Sequence, residues 1–321
     1  MKPLTTRQRS LSLGILILLF VVMAPLILLY SLGYRIDDAL SLQKTGGIFI
    51  HSNETESTVF VDGEFLKNSG FIVRNTLIQD LVPNREYKVE VHKDGHQSWV
   101  KSLFVYPSIV TEGRVLLLPN EFEKREILPF LDEDDNATST APARGAKPDN
   151  PEYVNVATLF ASSTRAVAKT VATTTTATSS SEQKSKLELF FDELAIRDFE
   201  TLPNLIVDGK EVSWLSSGNI SLYWTDEFES IPYYYCGGVE RECSNKIVLD
   251  WGQDIRRFEY LPGRNDVWIV LVSDGIFAVE VDGRSERNIQ TIIKGKNLEF
   301  RLTQNDGLVV REGSRYFEIN L

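Results

Sequence analysis

Hydrophobic positions fall into three patterns along this chain. From Leu11 to Leu32 they run together as LSLGILILLFVVMAPLILLYSL, 22 residues without a charge. A helix needs roughly 20 such residues to cross the hydrocarbon core of a bilayer. From Gly46 they alternate instead. Ile48 and Ile50, then Val59 and Val61, then Tyr87, Val89 and Val91 share one face, while Lys88, Glu90 and His92 take the other. Period-two alternation is the signature of a half-buried strand. Asp62-Gly63, Pro83-Asn84 and Asp94-Gly95 punctuate the runs at hairpin intervals. Residues 46–119 therefore predict a small all-β domain, in which one sheet folds against another to bury a core. Strands return over 187–321.

The flanks of the apolar run orient it. Lys2, Arg7 and Arg9 precede it with no acid among them, whereas Arg35 is followed by Asp37 and Asp38. The positive-inside bias then keeps residues 1–10 in the cytoplasm and places everything after the helix outside. A cleavable signal has an apolar core of roughly 7–15 residues and a small-residue cleavage site. Tyr30, Leu32 and Tyr34 supply no such site, so the expectation is a retained single-pass anchor over 11–34, weighed against a cleaved signal and a buried core helix. Pro25 is compatible with a transmembrane helix, where neighbouring groups satisfy the carbonyl it frees.

Within 46–119 the residues Gly47-Ile48-Phe49-Ile50-x-Ser52, Val59-Phe60-Val61-Asp62-Gly63, Leu81-x-Pro83-Asn84-x-x-Tyr87-x-Val89-x-Val91 and Lys93-x-Gly95-His96-x-x-Trp99 resemble a PEGA domain. The loop that would carry Pro-Glu-Gly-Ala reads Asn53-Glu54-Thr55-Glu56-Ser57-Thr58, no Gly-x-Thr-Pro follows the hairpin, and Asn84 and His96 stand where the family usually has Gly and Tyr. The resemblance implies a small β-sandwich of bacterial and archaeal envelope proteins, without an established catalytic role.

Residues 120–186 read as a linker. Asp132-Glu133-Asp134-Asp135 opens a stretch rich in Ala, Ser and Thr that ends in VATTTTATSSSEQKSK. Such composition buries too little apolar surface to offset the entropy of ordering it. One segment, Tyr153 to Phe160, is expected as a strand, and Leu187 to Ile196 as a strand or a helical turn. Beyond it lies a repeat. The stretch from Phe258 aligns with that from Leu298 about forty residues on. Glu259 falls on Glu299, Tyr260 on Phe300, and Asn265-Asp266 on Asn305-Asp306, while Ser213 to Trp224 has the same strand, turn, strand character. A period of that length with several strands per unit predicts a propeller-like array, with three candidate units against the usual four to eight blades. The fold class is thus mainly β: a transmembrane helix, a PEGA-like β-sandwich and a partial propeller-like repeat domain. The C-terminal part looks like the region that follows PEGA domains in membrane-anchored bacterial proteins.

Charge narrows the partners. A net charge of −11 argues against nucleic acid, which needs a basic footprint. Two cysteines, Cys236 and Cys243, both fall outside the membrane in this topology, where disulfides form, so one local bridge is expected. Chemistry is scarce. His51, His92 and His96 all lie in the small β domain, away from any nucleophile motif. Asp132-x-Asp134-x-Asn136 opens like an EF-hand loop, but Ala137 and Ala143 occupy the positions that need Gly and Glu. No metal, cofactor or catalytic residue is expected. The best acidic cluster, Asp226, Glu227 and Glu229 beside Tyr223 and Trp224, reads as a solvated loop. Tyr233, Tyr234 and Tyr235 run into Cys236, and tyrosines on a stapled hairpin suit recognition at low entropy cost. They are the candidate binding surface. The expectation is a non-enzymatic, membrane-anchored structural or binding protein that displays β domains to an envelope protein or a cell-surface glycan. The alternative is an anchored hydrolase with a carboxylate pair in the C-terminal domain.

Overall fold

The uncharged run forms one helix, α1 (Thr6–Ser31), in a computed structural model that describes residues 6–36, 42–68, 74–130, 148, 150–161, 169–170, 187–196, 199–226, 230–303 and 307–321. Among the described residues the rest is mainly β, in several sheets, none closed into a barrel. From Ser10 to Ser31 nothing on α1 is buried against the protein, and the helix is apolar all round. It stops where Gly33 takes φ +80°, a left-handed value glycine adopts without steric cost. The Gly33 carbonyl accepts both the Thr45 N–H at 2.9 Å and the Thr45 hydroxyl at 3.0 Å. The helix end is thereby fixed to the start of the first sheet.

The chain divides into two units, Met1–Lys93 with Ser98–Leu117, and Asp94–Gln97 with Leu118–Leu321. Besides α1 and a short ribbon of Tyr34–Ile36 on Leu42–Lys44, the first unit holds two sheets. Gly46–Ser52 lies between Asn75–Leu81 (antiparallel) and Val110–Val115 (parallel). The other sheet orders Glu64–Asn68, Thr58–Val61, Arg85–His92 and Trp99–Val105. One core joins them, with Ile48, Ile50 and Val115 from the first sheet meeting Val59, Val89, Val91, Trp99 and Leu103 from the second. The alternation read from the sequence is borne out at Tyr87, Val89 and Val91, all buried. Asp62 and Gly63 both have positive φ, 50° and 81°, the two-residue turn that matches strand twist. Asp62 then uses its carboxylate twice, accepting the Lys88 N–H at 2.9 Å and pairing with Arg85 at 2.5 Å.

The second unit carries three larger sheets. Ile206–Asp208, Glu211–Ser216, Asn219–Trp224 and Lys246–Leu249 make the first, with the two residues Lys169–Thr170 parallel at its edge. Arg257–Tyr260, Val267–Leu271, Gly275–Glu280 and Ile289–Lys294 make the second. Leu298–Leu302, Leu308–Glu312 and Arg315–Ile319 make the third, which is completed by Lys124–Ile127 from far upstream. The strands Phe258 and Leu298 belong to are each followed by a meander, as the forty-residue repeat implied.

Two expectations for 120–196 need correction. Lys124–Ile127 is a strand of the third sheet, Ile127 pairing with Tyr316. Tyr153 to Phe160 is helical, within α2 (Pro151–Ala161). Of the two alternatives for Leu187 to Ile196, a strand or a helical turn, the helical one holds, over 187–193. The cause at α2 is local: Asn150 Oδ1 accepts the Glu152 N–H at 2.9 Å, a cap on the first turn, and Pro151 at the first helical position is preset for helical φ. Tyr153, Val156, Ala157 and Phe160 then share one face and pack with Ile127, Val309 and Tyr316. Arg125 ties the assembly at its rim, reaching Glu152 and Glu318 at 2.5 Å each. The low-complexity stretches, including Asp132 to Asn136 and the threonine run, lie outside the described residues. They interrupt the second unit and do not separate it from the first, since one unit ends at Leu117 and the other resumes at Leu118.

Phe160, 3 % exposed, lies under the guanidinium groups of Arg301 and Arg311 at 5.2 and 5.4 Å. Truncating a buried aromatic costs about 3–5 kcal/mol. Phe160→Ala is expected to lower the unfolding free energy of the second unit by that amount, read as a lower denaturant midpoint. A midpoint equal to the parent's would return 150–161 to the status of linker.

Candidate functional site

Two places gather polar groups. The first lies between the two sheets of the second unit that share a core. Along Glu211–Ser216 the faces alternate: Val212 and Trp214 pack toward helix 187–193 with Phe191. Glu211 and Ser213 point the other way, toward the core that contains Trp268 and Tyr235. Glu211 is 4 % exposed, and Tyr234 donates its hydroxyl to Glu211 Oε1 at 2.6 Å. Burial pushes the Glu211 carboxyl up to about 7; the facing hydroxyls of Tyr234 and Tyr235 pull it back, and Asp208 and Asp266 push further. Burial also raises the Tyr234, Tyr235 and Tyr260 hydroxyls, which stay protonated as donors. Ser213 Oγ, Tyr235 Oη, Tyr260 Oη and Trp268 Nε1 are buried without a well-formed hydrogen bond among the described residues. Buried polar atoms of this kind are commonly satisfied by internal water.

This arrangement revises the tyrosine run. Tyr234 and Tyr235 are core residues, each 4 % exposed, in a 3₁₀ turn Tyr233–Tyr235, and only Tyr233 reaches partway to the surface, under Arg284 at 4.6 Å. A 3₁₀ turn sends successive side chains to different sides, so a three-tyrosine face does not form. Cys236 and Cys243 are joined and directly opposite in register. They close a tip on which Val239 is exposed beside Glu240, Arg241 and Glu242. Asp226 pairs with Lys210, while Glu227 and Glu229 lie outside the described residues.

A carboxyl near 7 is what a general acid needs. Here it is sealed by Tyr234 and Tyr235, and the neighbouring Asp266 is itself 3 % exposed and held by both Arg264 Nε and Nη2 at 2.6 and 2.8 Å. A substrate reaches neither. The geometry favours a buried proton-holding group over a hydrolytic pair.

The second place is a cavity of about 450 Å³ in the first unit, at the end of α1. Its floor is Gly46-Gly47. A Cβ on Gly47 would lie 2.8 Å from the Ile78 carbonyl oxygen, and one on Gly46 would strike the Tyr106 carbonyl. Leu77 and Val110, 49 % and 53 % exposed, form apolar sides, and Tyr30 closes the helix side. Arg35 crosses the opening. It stacks on the Tyr30 ring at 3.7 Å, donates to the Tyr30 and Tyr34 carbonyls at 3.0 Å each, and pairs with Asp80 Oδ1 at 2.6 Å. Sequence reasoning missed this cavity. The adjacent glycines opening a strand were its one local signal.

No known protein family matches the chain, and no curated protein does. Among solved structures, a Bacteroides fragilis protein of unknown function, described as membrane-associated, is 12 % identical over 86 % of this chain and 94 % of its own, with a TM-score of 0.18. A likeness that slight carries no argument about fold or function.

Two measurements test these assignments. A carboxyl whose folded pKa is raised gives stability that is complete below its unfolded pKa, about 4.5, and is lost as pH rises through about 7. The full shift is worth about 3 kcal/mol. Glu211→Gln keeps the acceptor without the charge, so the parent is expected to lose stability relative to the variant between pH 4.5 and 7, and a pH-independent difference would contradict it. For the stapled tip, Cys243→Ser should cost about 2 kcal/mol under oxidising conditions, as expected for a short closed loop. With reductant, parent and variant should melt together; a parent insensitive to reductant would dismiss the bridge.

Proposed function

We propose that this is a single-pass membrane protein with its N-terminus in the cytoplasm. Both β units then lie outside and act by contact with an envelope protein or a cell-surface glycan, not by catalysis. The observation that carries the reading is α1. Twenty-two residues from Ser10 to Ser31 are long and apolar enough to span a bilayer, and none is buried against the protein. A soluble fold would leave that surface in water at a cost of roughly 25 cal/mol per Å². Lys2, Arg7 and Arg9 support the orientation. The first unit is read as PEGA-like on its glycine and Asp62-Gly63 pattern and its two packed sheets. The second is read as propeller-like, supported by three successive meanders, the last completed by an upstream strand. The closed tip at Cys236–Cys243, with Val239 71 % exposed, supports a contact role.

The topology is tested on intact cells. The chain should remain with membranes through alkaline extraction, and external protease should remove the second unit without permeabilisation. Protection of that unit until the membrane is opened would overturn the orientation.

A further inference from the structure

We propose that the cavity at the end of α1 holds the headgroup of a phospholipid that carries a primary amine beside its phosphate. The inference rests on α1 being a membrane anchor. Its level follows from that: Tyr30 and Ser31, the last helical residues, line the cavity, which puts the opening where a bilayer presents headgroups, at the depth that tyrosine rings favour.

The chemistry of the walls selects the ligand. Gly46 and Gly47 line the cavity without side chains, their backbone held close to the Tyr106 and Ile78 carbonyls. Leu77 and Val110 offer apolar sides continuous with the exposed Tyr30, suited to the glycerol and first acyl carbons. Arg35 is the cation for a phosphate oxygen: Nη1 is spent on the Tyr30 and Tyr34 carbonyls, which fix the guanidinium plane, and the phosphate takes the donors beyond these and the Nη2 bond to Asp80. Asp80 is engaged by Arg35 through Oδ1, and Oδ2 is the acceptor for an ammonium N–H. The final carbonyls of α1 add a partial negative charge at the same end. One positive and one negative side chain 2.6 Å apart match a zwitterion better than a purely anionic headgroup. A trimethylammonium group has no N–H to give Asp80, so it is the natural discriminating control.

The experiment uses the full chain in detergent, offered amine-bearing, choline-bearing and glycerol-bearing phospholipids of identical acyl composition. Native mass spectrometry reads retention. The amine lipid is expected to be retained about tenfold better than the other two, the worth of one charge-assisted hydrogen bond. Asp80→Asn, at a half-exposed position with φ +62° that asparagine tolerates, should keep the fold and abolish the preference. Val110→Trp, on an exposed side chain, should block retention of all three. Equal retention of the three lipids by the parent, or a preference that survives both variants, overturns the proposal. Displacement of the lipid by inorganic phosphate alone overturns it too, because the site would then be a simple anion site. Loss of the chain to the aqueous phase on alkaline extraction overturns the anchor and this site with it. A chain retained in the membrane that shows no headgroup preference overturns the site alone.

Discussion

The pairing of Lys124–Ile127 with Arg315–Ile319 governs how the second unit is built. An edge strand left unpaired presents a row of free backbone donors and acceptors, and natural sheets cover or complete such edges. Here the third sheet is completed by residues that precede it by nearly the whole unit. Any unit sewn shut in this way must have both of its chain ends in one sheet. What lies between them can be long and compositionally poor without loosening the fold, because loop length adds to closure entropy only slowly. That is why the Ser/Thr-rich stretches are tolerated where they occur. In sequence those stretches fall after Leu118, within the second unit.

The same unit accepts a second cost, a polar seam between two sheets. Glu211, Tyr234, Ser213, Tyr235, Tyr260 and Trp268 would be replaceable by aliphatic residues if packing were the sole demand. Each unsatisfied buried polar group costs about 1–3 kcal/mol. A single strong bond, Tyr234 to Glu211 at 2.6 Å, offsets part of that, and keeping the carboxyl protonated avoids burying a charge. The seam is therefore neutral while Glu211 holds its proton, which makes its electrostatics structural. A catalytic acid needs the same pKa but also an approach for substrate, and Glu211, 4 % exposed and bonded by Tyr234, offers none.

Much of the first unit was legible because its determinants are local. Alternation at Tyr87, Val89 and Val91 fixes a face, and Asp62-Gly63 fixes a turn, without reference to distant residues. Tyr153 to Phe160 failed for an equally local reason. YVNVATLF satisfies a period of two and a period of 3.6 together, and Val156 and Phe160 are buried in either register. Asn150-Pro151-Glu152, immediately upstream, carried the deciding capping signal. Lys124–Ile127, with three charges in four residues, has almost no strand signature, and only its partner at the far end of the chain makes it a strand. The tyrosine run misled because tyrosine serves surfaces and cores alike, and nothing near it in sequence announces Glu211, whose burial draws Tyr234 inward. The cavity was invisible for the same reason. It is assembled from the helix end, a ribbon and three strand segments.

That cavity and the anchor constrain each other. An apolar helix joined to a β unit by a free linker would let the unit rotate over the bilayer, and no surface of it would have a fixed depth. Here the Gly33 carbonyl is gripped twice by Thr45, and Arg35 is bound to the last turn through Tyr30 and to the sheet through Asp80. Helix and sheet are coupled through short bonds on both sides of the junction. The strand that carries Gly46-Gly47 starts directly after Thr45, so the cavity floor inherits its position from the end of the helix. A bilayer that fixes α1 in depth fixes the cavity too. On the proposed anchoring, the apolar exposure of Leu77 and Val110 has a physical reason to persist: side chains at a lipid interface would meet acyl carbons in place of water, and their exposure would cost the fold little.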